Sequence, residues 1–169
     1  MGAAIKDIVN GGNGEKEIAN FIERTTSEIE NNLVTFIPSS RFNSTDPLIK
    51  VNFPNCKTIK TAAFLSCTSL TEAYFSECNQ IGNSAFAFCS SLSTFYAPNC
   101  SNFGSGAFSH CNKLSSVDFY SGTVSSIPDY CFYSCHNLSS LGNTKFANVG
   151  GYAFGFCSSL TDEAIADYL

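Results

Sequence analysis

The fold is decided by a 22-residue unit that is first complete at residues 48–69, where the sequence reads LIKVNFPNCKTIKTAAFLSCTS. The same order of residue types returns as LTEAYFSECNQIGNSAFAFCSS at residues 70–91 and as LSTFYAPNCSNFGSGAFSHCNK at residues 92–113. The clearest landmark is a small residue, then Phe and, three residues later, Cys. It occurs at residues 63–67, 85–89, 107–111, 131–135 and 153–157, in steps of 22, 22, 24 and 22 residues. A fixed period of this length indicates a solenoid, because one unit cannot bury its own apolar edge whereas stacked units share a core.

Each unit contains two parts with different periods. The first, L-x-x-V-x-F as at residues 114–119, ends in an alternation of period two, which predicts a short strand with one buried face. The second, from Ile59 to Cys67 for example, spaces its apolar residues by three and four, so we expect one turn of α- or 3-10 helix there. The predicted fold is therefore an α/β solenoid of about six 22-residue coils, with parallel strands about 4.8 Å apart.

The repeat also sets the expected limits of the solenoid, which are residues 26–159. Residues 26–47 are predicted to be an N-terminal cap repeat, a worn copy in which Ile37 and Phe42 keep the apolar landmark positions. Terminal repeats depart from the pattern because one of their faces has no neighbour. The fourth full repeat is two residues longer than the others, which predicts a loop around residues 121–123.

The two ends lie outside the repeat. Residues 1–25 are predicted to be an N-terminal helical segment or linker, with a helix over residues 15–24 after the glycine-rich joint at residues 11–14. Residues 160–169 begin with Leu-Thr-Asp-Glu, in which Thr161 can cap a helix, and they predict a C-terminal cap or a truncated helix. The first residues lack the apolar core of a signal peptide, so we expect synthesis without one or a shortened chain.

These motifs resemble a known family, the BspA-like leucine-rich repeats, also called the treponemal type. The family pattern is a leucine strand, a proline corner, an isoleucine and an Ala-Phe-x-x-Cys turn. Residues 48–67 meet this pattern, and the later copies follow it with local departures such as Cys131 in the alanine position and Asn143 in place of Phe. The resemblance covers about residues 26–160 and implies a leucine-rich-repeat solenoid.

Eight of the nine cysteines fall into two columns once the repeats are aligned, and the ninth, Cys131, takes the alanine position. In the first column, cysteine is replaced by valine or phenylalanine in some repeats: Val34, Cys56, Cys78, Cys100, Val124 and Phe146. The second column contains Thr45, Cys67, Cys89, Cys111, Cys135 and Cys157. Free cysteine packs as a small hydrophobe, so we predict reduced core thiols. Disulfides are disfavoured because side chains on adjacent coils point in parallel, and a metal site is disfavoured because the columns contain no His or Asp. We therefore expect no cofactor.

Charge and motifs exclude several classes of function. The net charge of −5 and the pI near 4.9 argue against a nucleic-acid partner. No apolar run approaches the roughly 20 residues of a membrane span, so we expect no membrane insertion. The sequence lacks a nucleophile elbow, a phosphate-binding loop and an H-E-x-x-H motif, and its acidic residues fall in different repeat phases. We therefore predict that the protein is not an enzyme.

A solenoid aligns equivalent residues into surface columns, and the outward strand positions are the candidate binding site. The predicted site residues are Lys50, Asn52, Glu72, Tyr74, Thr94, Tyr96, Ser116 and Asp118. Two stacked tyrosines with Asn and Asp beside them offer apolar area and polar tips, which suits protein or glycan contacts. The alternative is that these residues are good strand formers on a solvated sheet. A second candidate is the turn-side aromatic set Phe88, Tyr133 and Phe156, which edge packing would also explain.

The resemblance adds an expected setting for this binding. Members of the family are commonly exposed on the surfaces of bacteria and some protists or are carried by phages of gut bacteria. This implies an adhesin or host-recognition protein with a protein or glycan ligand, located at an extracellular surface or on a virion. The alternative is a structural spacer or oligomer-forming component of a phage particle or cell surface, and an oligomer is compatible with either role.

Overall fold

The computed structural model describes residues 8–10, 16–18, 27–117, 119, 123–124, 126–142 and 145–161. These residues contain twelve short strands. They are β1 Ile8–Asn10, β2 Lys16–Ile18, β3 Glu28–Glu30, β4 Phe36–Ile37, β5 Lys50–Asn52, β6 Thr58–Ile59, β7 Glu72–Tyr74, β8 Gln80–Ile81, β9 Thr94–Tyr96, β10 Asn102–Phe103, β11 Thr123–Val124 and β12 Lys145–Phe146.

The first long sheet has the strand order β3-β5-β7-β9, and every pair in it is parallel. Glu28 aligns with Lys50, Lys50 with Glu72 and Glu72 with Thr94, so each 22-residue step moves the chain by one strand. The central residue of each strand is buried and its two neighbours are more exposed. The predicted period, parallel pairing and one-sided burial are therefore confirmed.

A second parallel sheet, with the order β10-β8-β6-β4, carries the other strand of each coil. Beyond β9 and β10 the pairing becomes less regular. Among the residues that the structure describes there, it consists of the parallel pair β11–β12 and two isolated bridges, Ser116–Ser140 and Ile127–Val149. The regular ladders thus span about three turns, so the expectation of about six equal coils is inexact. The longer fourth repeat accounts for the change, because its two extra residues interrupt the 22-residue register.

The corner turns, which follow the second strand of each coil, are not helical. No helix occurs in any of the ranges that the structure describes, so the predicted α- or 3-10-helical turns are wrong. In the turn at residues 62–67, the N–H groups of Ala62, Phe64 and Ser66 donate to carbonyls of the next coil at 2.9, 2.7 and 2.8 Å. Only the N–H groups between them bond within the turn. In a helix, all of these N–H groups would donate within the same segment. Here every second one donates to the next coil instead.

Aromatic rings at the Ala-Phe positions form the centre of the core. The rings of Phe42, Phe64 and Phe86 stack at centroid distances of 4.8 and 4.9 Å, and the column continues through Phe108 and Phe132. The two cysteine columns pack around it, and all nine cysteines are buried and free. The predicted core of Phe, Leu and reduced thiols is therefore present.

The chain before the solenoid differs from its prediction. Lys16–Ile18 forms a strand that pairs antiparallel with Ile8–Asn10. The predicted helix over residues 15–24 is therefore wrong for these three residues. A helix of about ten residues is marginal by itself, and pairing with a second segment satisfies the same backbone groups. Residues 19–26 and 162–169 lie outside the described residues. The predicted boundaries 1–25, 26–159 and 160–169 therefore remain predictions.

Candidate binding surfaces

Alternation along β5, β7 and β9 places two rows of predicted site residues on the outer face of the first sheet. Lys50, Glu72 and Thr94 form one row. Asn52, Tyr74 and Tyr96 form the second. We call these six residues the strand face. Ser116 is exposed and lies in the coil after β9, where it bridges to Ser140. Asp118 lies outside the described residues.

A hydrogen-bonded cluster occupies one half of the strand face. Nζ of Lys50 lies 2.9 Å from Oε2 of Glu72, and the hydroxyl of Tyr74 donates to the same oxygen at 3.1 Å. The Lys50 ammonium also lies 5.3 Å from the centre of the Tyr74 ring. Hydrogen bonds from Lys50 and Tyr74 lower the pKa of Glu72, and the bond to Glu72 raises the pKa of Lys50. The cluster therefore holds Tyr74 in place while its charges stay paired.

The second half of the strand face is formed by Tyr96 together with Tyr74, which also belongs to the cluster. The rings of Tyr74 and Tyr96 lie 6.5 Å apart with their planes tilted by 46°, and Tyr96 is 42% exposed. Beside them, Nδ2 of Asn52 donates to Oε1 of Glu30 at 3.0 Å. Glu30 precedes Asn52 by one coil and was missed by the sequence prediction, which began its columns at residue 50. The strand face thus combines apolar area with ordered polar groups, and it is open to solvent.

A shallow groove of about 340 Å³ runs along the second sheet. It is lined by Thr61, Gln80, Gly82, Asn83, Asn102 and Phe103, among others. Gly82 allows the two coils to approach closely here, because a Cβ on it would lie 2.6 Å from the backbone nitrogen of Thr61. The sequence prediction did not single out this groove, since its residues are spread over three coils.

The thiols of the second column hydrogen-bond inside the core. The Sγ–H groups of Cys67, Cys89 and Cys111 donate to the carbonyls of Phe42, Phe64 and Phe86 in the preceding coil, at 2.9, 3.1 and 3.2 Å. Burial raises the pKa of Cys111 and Cys131 far above the usual value and that of Cys157 to about 11.

Within the described ranges no three His, Cys, Asp or Glu residues are grouped to hold a metal ion. Nor does this part of the chain contain a helix able to cross a membrane.

A row of aromatic rings covers the corner turns of the last coils, and we call it the aromatic corner. It consists of Phe88, His110, Tyr130, Tyr133, Tyr152 and Phe156. The sequence prediction contained three of these residues and omitted His110, Tyr130 and Tyr152. Their common signal is the repeat phase, because Tyr130 and Tyr152 are one 22-residue step apart and His110 follows Phe88 by the same step.

Comparisons with known proteins confirm the predicted family resemblance. A family model described as "BspA type Leucine rich repeat region (6 copies)" matches residues 18–105 and 97–167. The crystal structure of the T. pallidum leucine rich repeat protein TpLRR aligns with a TM-score of 0.70 and 20% identity, over 97% of this chain and 92% of that one. No curated protein matches the chain in sequence.

Two further crystal structures cover larger proteins. A leucine rich cell surface protein from Faecalibacterium prausnitzii A2-165 aligns with a TM-score of 0.71 and 21% identity, over 91% of this chain and 51% of that one. The pneumococcal vaccine antigen PcpA aligns with a TM-score of 0.58 and 18% identity, over 80% of this chain and 35% of that one. At these identities the likeness shows a leucine-rich-repeat fold alone.

Proposed function

Because this chain belongs to the BspA-type leucine-rich-repeat family, we propose that it is a non-catalytic recognition module that holds a protein partner on its strand face. Proteins of this fold are general scaffolds for protein interactions, and the strand face supplies what such an interface needs. The single observation that carries the proposal is the registered pair Tyr74 and Tyr96 beside the Lys50–Glu72 ion pair.

The composition of this face favours a protein over the glycan that the sequence also allowed. Tyrosine is enriched at protein interfaces, where its ring supplies contact area and its hydroxyl a polar tip. The paired charges of Lys50 and Glu72 give the face a fixed pattern of sign, which a complementary protein surface can match. A location at an extracellular surface is supported by the F. prausnitzii protein, which is described as a cell surface protein.

The proposal is tested with the double variant Tyr74→Ala, Tyr96→Ala. Labelled protein is added to a cultured epithelial monolayer, before and after the monolayer is treated with trypsin. We expect the wild type to bind, trypsin to abolish binding, and the double variant to bind at least about tenfold more weakly, since central aromatic residues dominate interfaces. Ile49→Ala is the matched control, because Ile49 is also 42% exposed but lies outside the two rows.

Undiminished binding by the double variant would show that the strand face is not the site. Absence of binding by the wild type would instead favour a structural role, as a spacer or an oligomer-forming component of a cell surface or phage particle. The continuous stack of registered coils suits that second role, because it gives a rod of fixed spacing.

A further inference from the structure

Five of the six residues of the aromatic corner, all but Tyr133, have a backbone conformation that bulky side chains rarely adopt. Each corner turn contains two residues of positive φ, four positions apart. In the first two coils these positions hold small residues, namely Ser40, Ser44, Ala62 and Ser66. In the later coils most hold aromatic residues, with φ of 62° at Phe88, 62° at His110, 58° at Tyr130, 54° at Tyr152 and 59° at Phe156. Left-handed conformations of bulky residues cost energy, and such strain concentrates at functional sites.

The core does not require these aromatic side chains. Tyr152 and Phe156 are 67% and 66% exposed, and Phe88 and Tyr130 are about half exposed. By contrast, Phe132, which lies between Tyr130 and Tyr133 in sequence and belongs to the core column, is fully buried. Serine occupies the equivalent backbone positions in earlier coils. Neither packing nor turn geometry therefore requires an aromatic residue at these positions. Contiguous exposed apolar area of this kind marks binding surfaces.

The rings form one connected platform across neighbouring coils. Phe88 stacks on His110 with centroids 4.5 Å apart, and Tyr130 stacks on Tyr152 at 5.6 Å. Tyr133 connects the first stacked pair to the last coil, because its ring lies 5.6 Å from the ring of His110 and 5.3 Å from the ring of Phe156. Gly155 gives Tyr133 its place, since a Cβ there would lie 3.0 Å from Cδ2 of the ring. The platform is therefore continuous and built at fixed positions.

The chemistry around the platform identifies the class of ligand. The four corner turns at residues 84–89, 106–111, 130–135 and 152–157 contain no Asp, Glu, Lys or Arg. Their polar groups are neutral hydrogen-bonding ones: tyrosine hydroxyls, serine hydroxyls and the His110 imidazole, whose Nδ1 lies 2.8 Å from Oγ of Ser109. Exposed Asp129, which precedes Tyr130, flanks these turns, and its Oδ1 accepts a hydrogen bond from the N–H of Gly151 at 2.7 Å. Apolar ring area combined with uncharged hydrogen-bonding groups matches the C–H faces and hydroxyls of a sugar.

We propose that the aromatic corner is a binding site for a neutral glycan chain, independent of the strand face. The two most exposed rings, Tyr152 and Phe156, stack on sugar rings, and the hydroxyls beside them accept and donate hydrogen bonds. Coils repeat about every 4.8 Å along the solenoid, so successive turns present equivalent positions to successive units of a polymer.

The test is titration of the full chain with three neutral hexasaccharides: cellohexaose, mannohexaose and chitohexaose. Binding is followed by calorimetry and by the tyrosine emission, which no tryptophan obscures. We expect at least one hexasaccharide to bind. The variant Tyr152→Ser, Phe156→Ser should bind it about tenfold more weakly, as loss of two stacking rings implies. The variant folds, because serine already occupies the equivalent positions 40 and 44.

Two controls separate this site from the strand face. Tyr74→Ala, Tyr96→Ala should bind the hexasaccharide as the wild type does, and the corner variant should keep its trypsin-sensitive binding to the monolayer. The proposal is overturned if none of the three hexasaccharides binds or if the corner variant binds them unchanged. It is also overturned if the corner variant loses cell binding or self-association instead, because the corner would then be a protein interface.

Discussion

Gly104 shows how closely single residues of adjacent coils approach each other. A Cβ at this position would lie 2.2 Å from the backbone nitrogen of Asn83 in the preceding coil. The backbone cannot yield there without moving the strand pair β8–β10 that ends one residue earlier. Gly106, two residues later, has a φ of 62°, but a Cβ there would make only ordinary contacts, the nearest with Oγ of Ser84 at 3.6 Å. The two glycines are therefore needed for different reasons.

We predict that Gly104→Ala lowers the free energy of unfolding by about 2–3 kcal/mol, because it inserts a methyl group into a closed contact. Gly106→Ala is the control and should cost about 1 kcal/mol, which is the conformational penalty alone. Urea unfolding followed by circular dichroism measures both. Equal losses in the two variants would contradict the contact between the coils at Gly104.

Residue-scale chemistry also explains the cysteines. Each thiol of the second column supplies a small apolar volume together with a donor for the phenylalanine carbonyl one coil earlier, as Cys135 does for Phe108 at 3.0 Å. Valine would fill the space but could not donate. The first column needs no such donor to a neighbouring coil, which is consistent with valine and phenylalanine replacing cysteine there.

At the scale of elements, the stacked phenylalanines join one coil to the next. Phe86 lies 4.9 Å from Phe64 and 5.5 Å from Phe108 in the column, and 5.0 Å edge-on from Phe95 of strand β9. It is fully buried. Since strands of two or three residues carry few hydrogen bonds, this packing supplies much of what holds the coils in register.

We therefore predict that Phe86→Ala lowers the free energy of unfolding by about 3–5 kcal/mol, the usual cost of emptying a large core position. Phe88→Ala, two residues away, removes a ring of the same size that is 48% exposed, and it should cost at most about 1 kcal/mol. Thermal melting of the two variants beside the wild type makes the comparison. An unchanged melting curve for Phe86→Ala would contradict the assignment of this ring to the core.

At the scale of the whole molecule, the coils share one hydrophobic core and their thiols are protected together. Eight of the nine cysteines are fully buried, and Cys157 in the last described coil is 6% exposed. Burial raises the pKa of Cys111 and Cys131 far above the usual value and that of Cys157 to about 11, so these thiols stay protonated near neutral pH and react slowly.

We predict that at pH 8 an aromatic disulfide reagent titrates nine thiols in denaturant but few in the native protein, with Cys157 reacting first. Cys157→Ala should remove this first phase and leave eight thiols, because Cys157 is 6% exposed whereas the other eight cysteines are fully buried. Raising the pH should speed the native reaction, since it increases the thiolate fraction. A titre below nine in the denatured wild type would indicate disulfides or bound metal and would overturn the reduced core.

The sequence by itself determined the period, the parallel strands, the buried columns and the outward rows of the strand face. These follow from local spacing, because every 22-residue step brings equivalent residues to the same place and alternation within a strand fixes which side is buried. The same spacing predicts that Tyr74 lies beside Tyr96, as it does. It could not place the hydrogen bond between Asn52 and Glu30, because nothing local indicates which polar neighbours pair across coils.

Only the tertiary structure decided the form of the corner turns. Spacing by three and four residues fits a helix as well as a turn, and the choice depends on where alternate N–H groups find their acceptors. Here they find them in the next coil, as Phe64 does at the carbonyl of Ala85. The residues on either side of Phe64 that also donate to the next coil, Ala62 and Ser66, are the left-handed ones. The aromatic corner has the same origin. Its rings come together because stacked coils align positions whose sequence context gives no sign that they face solvent.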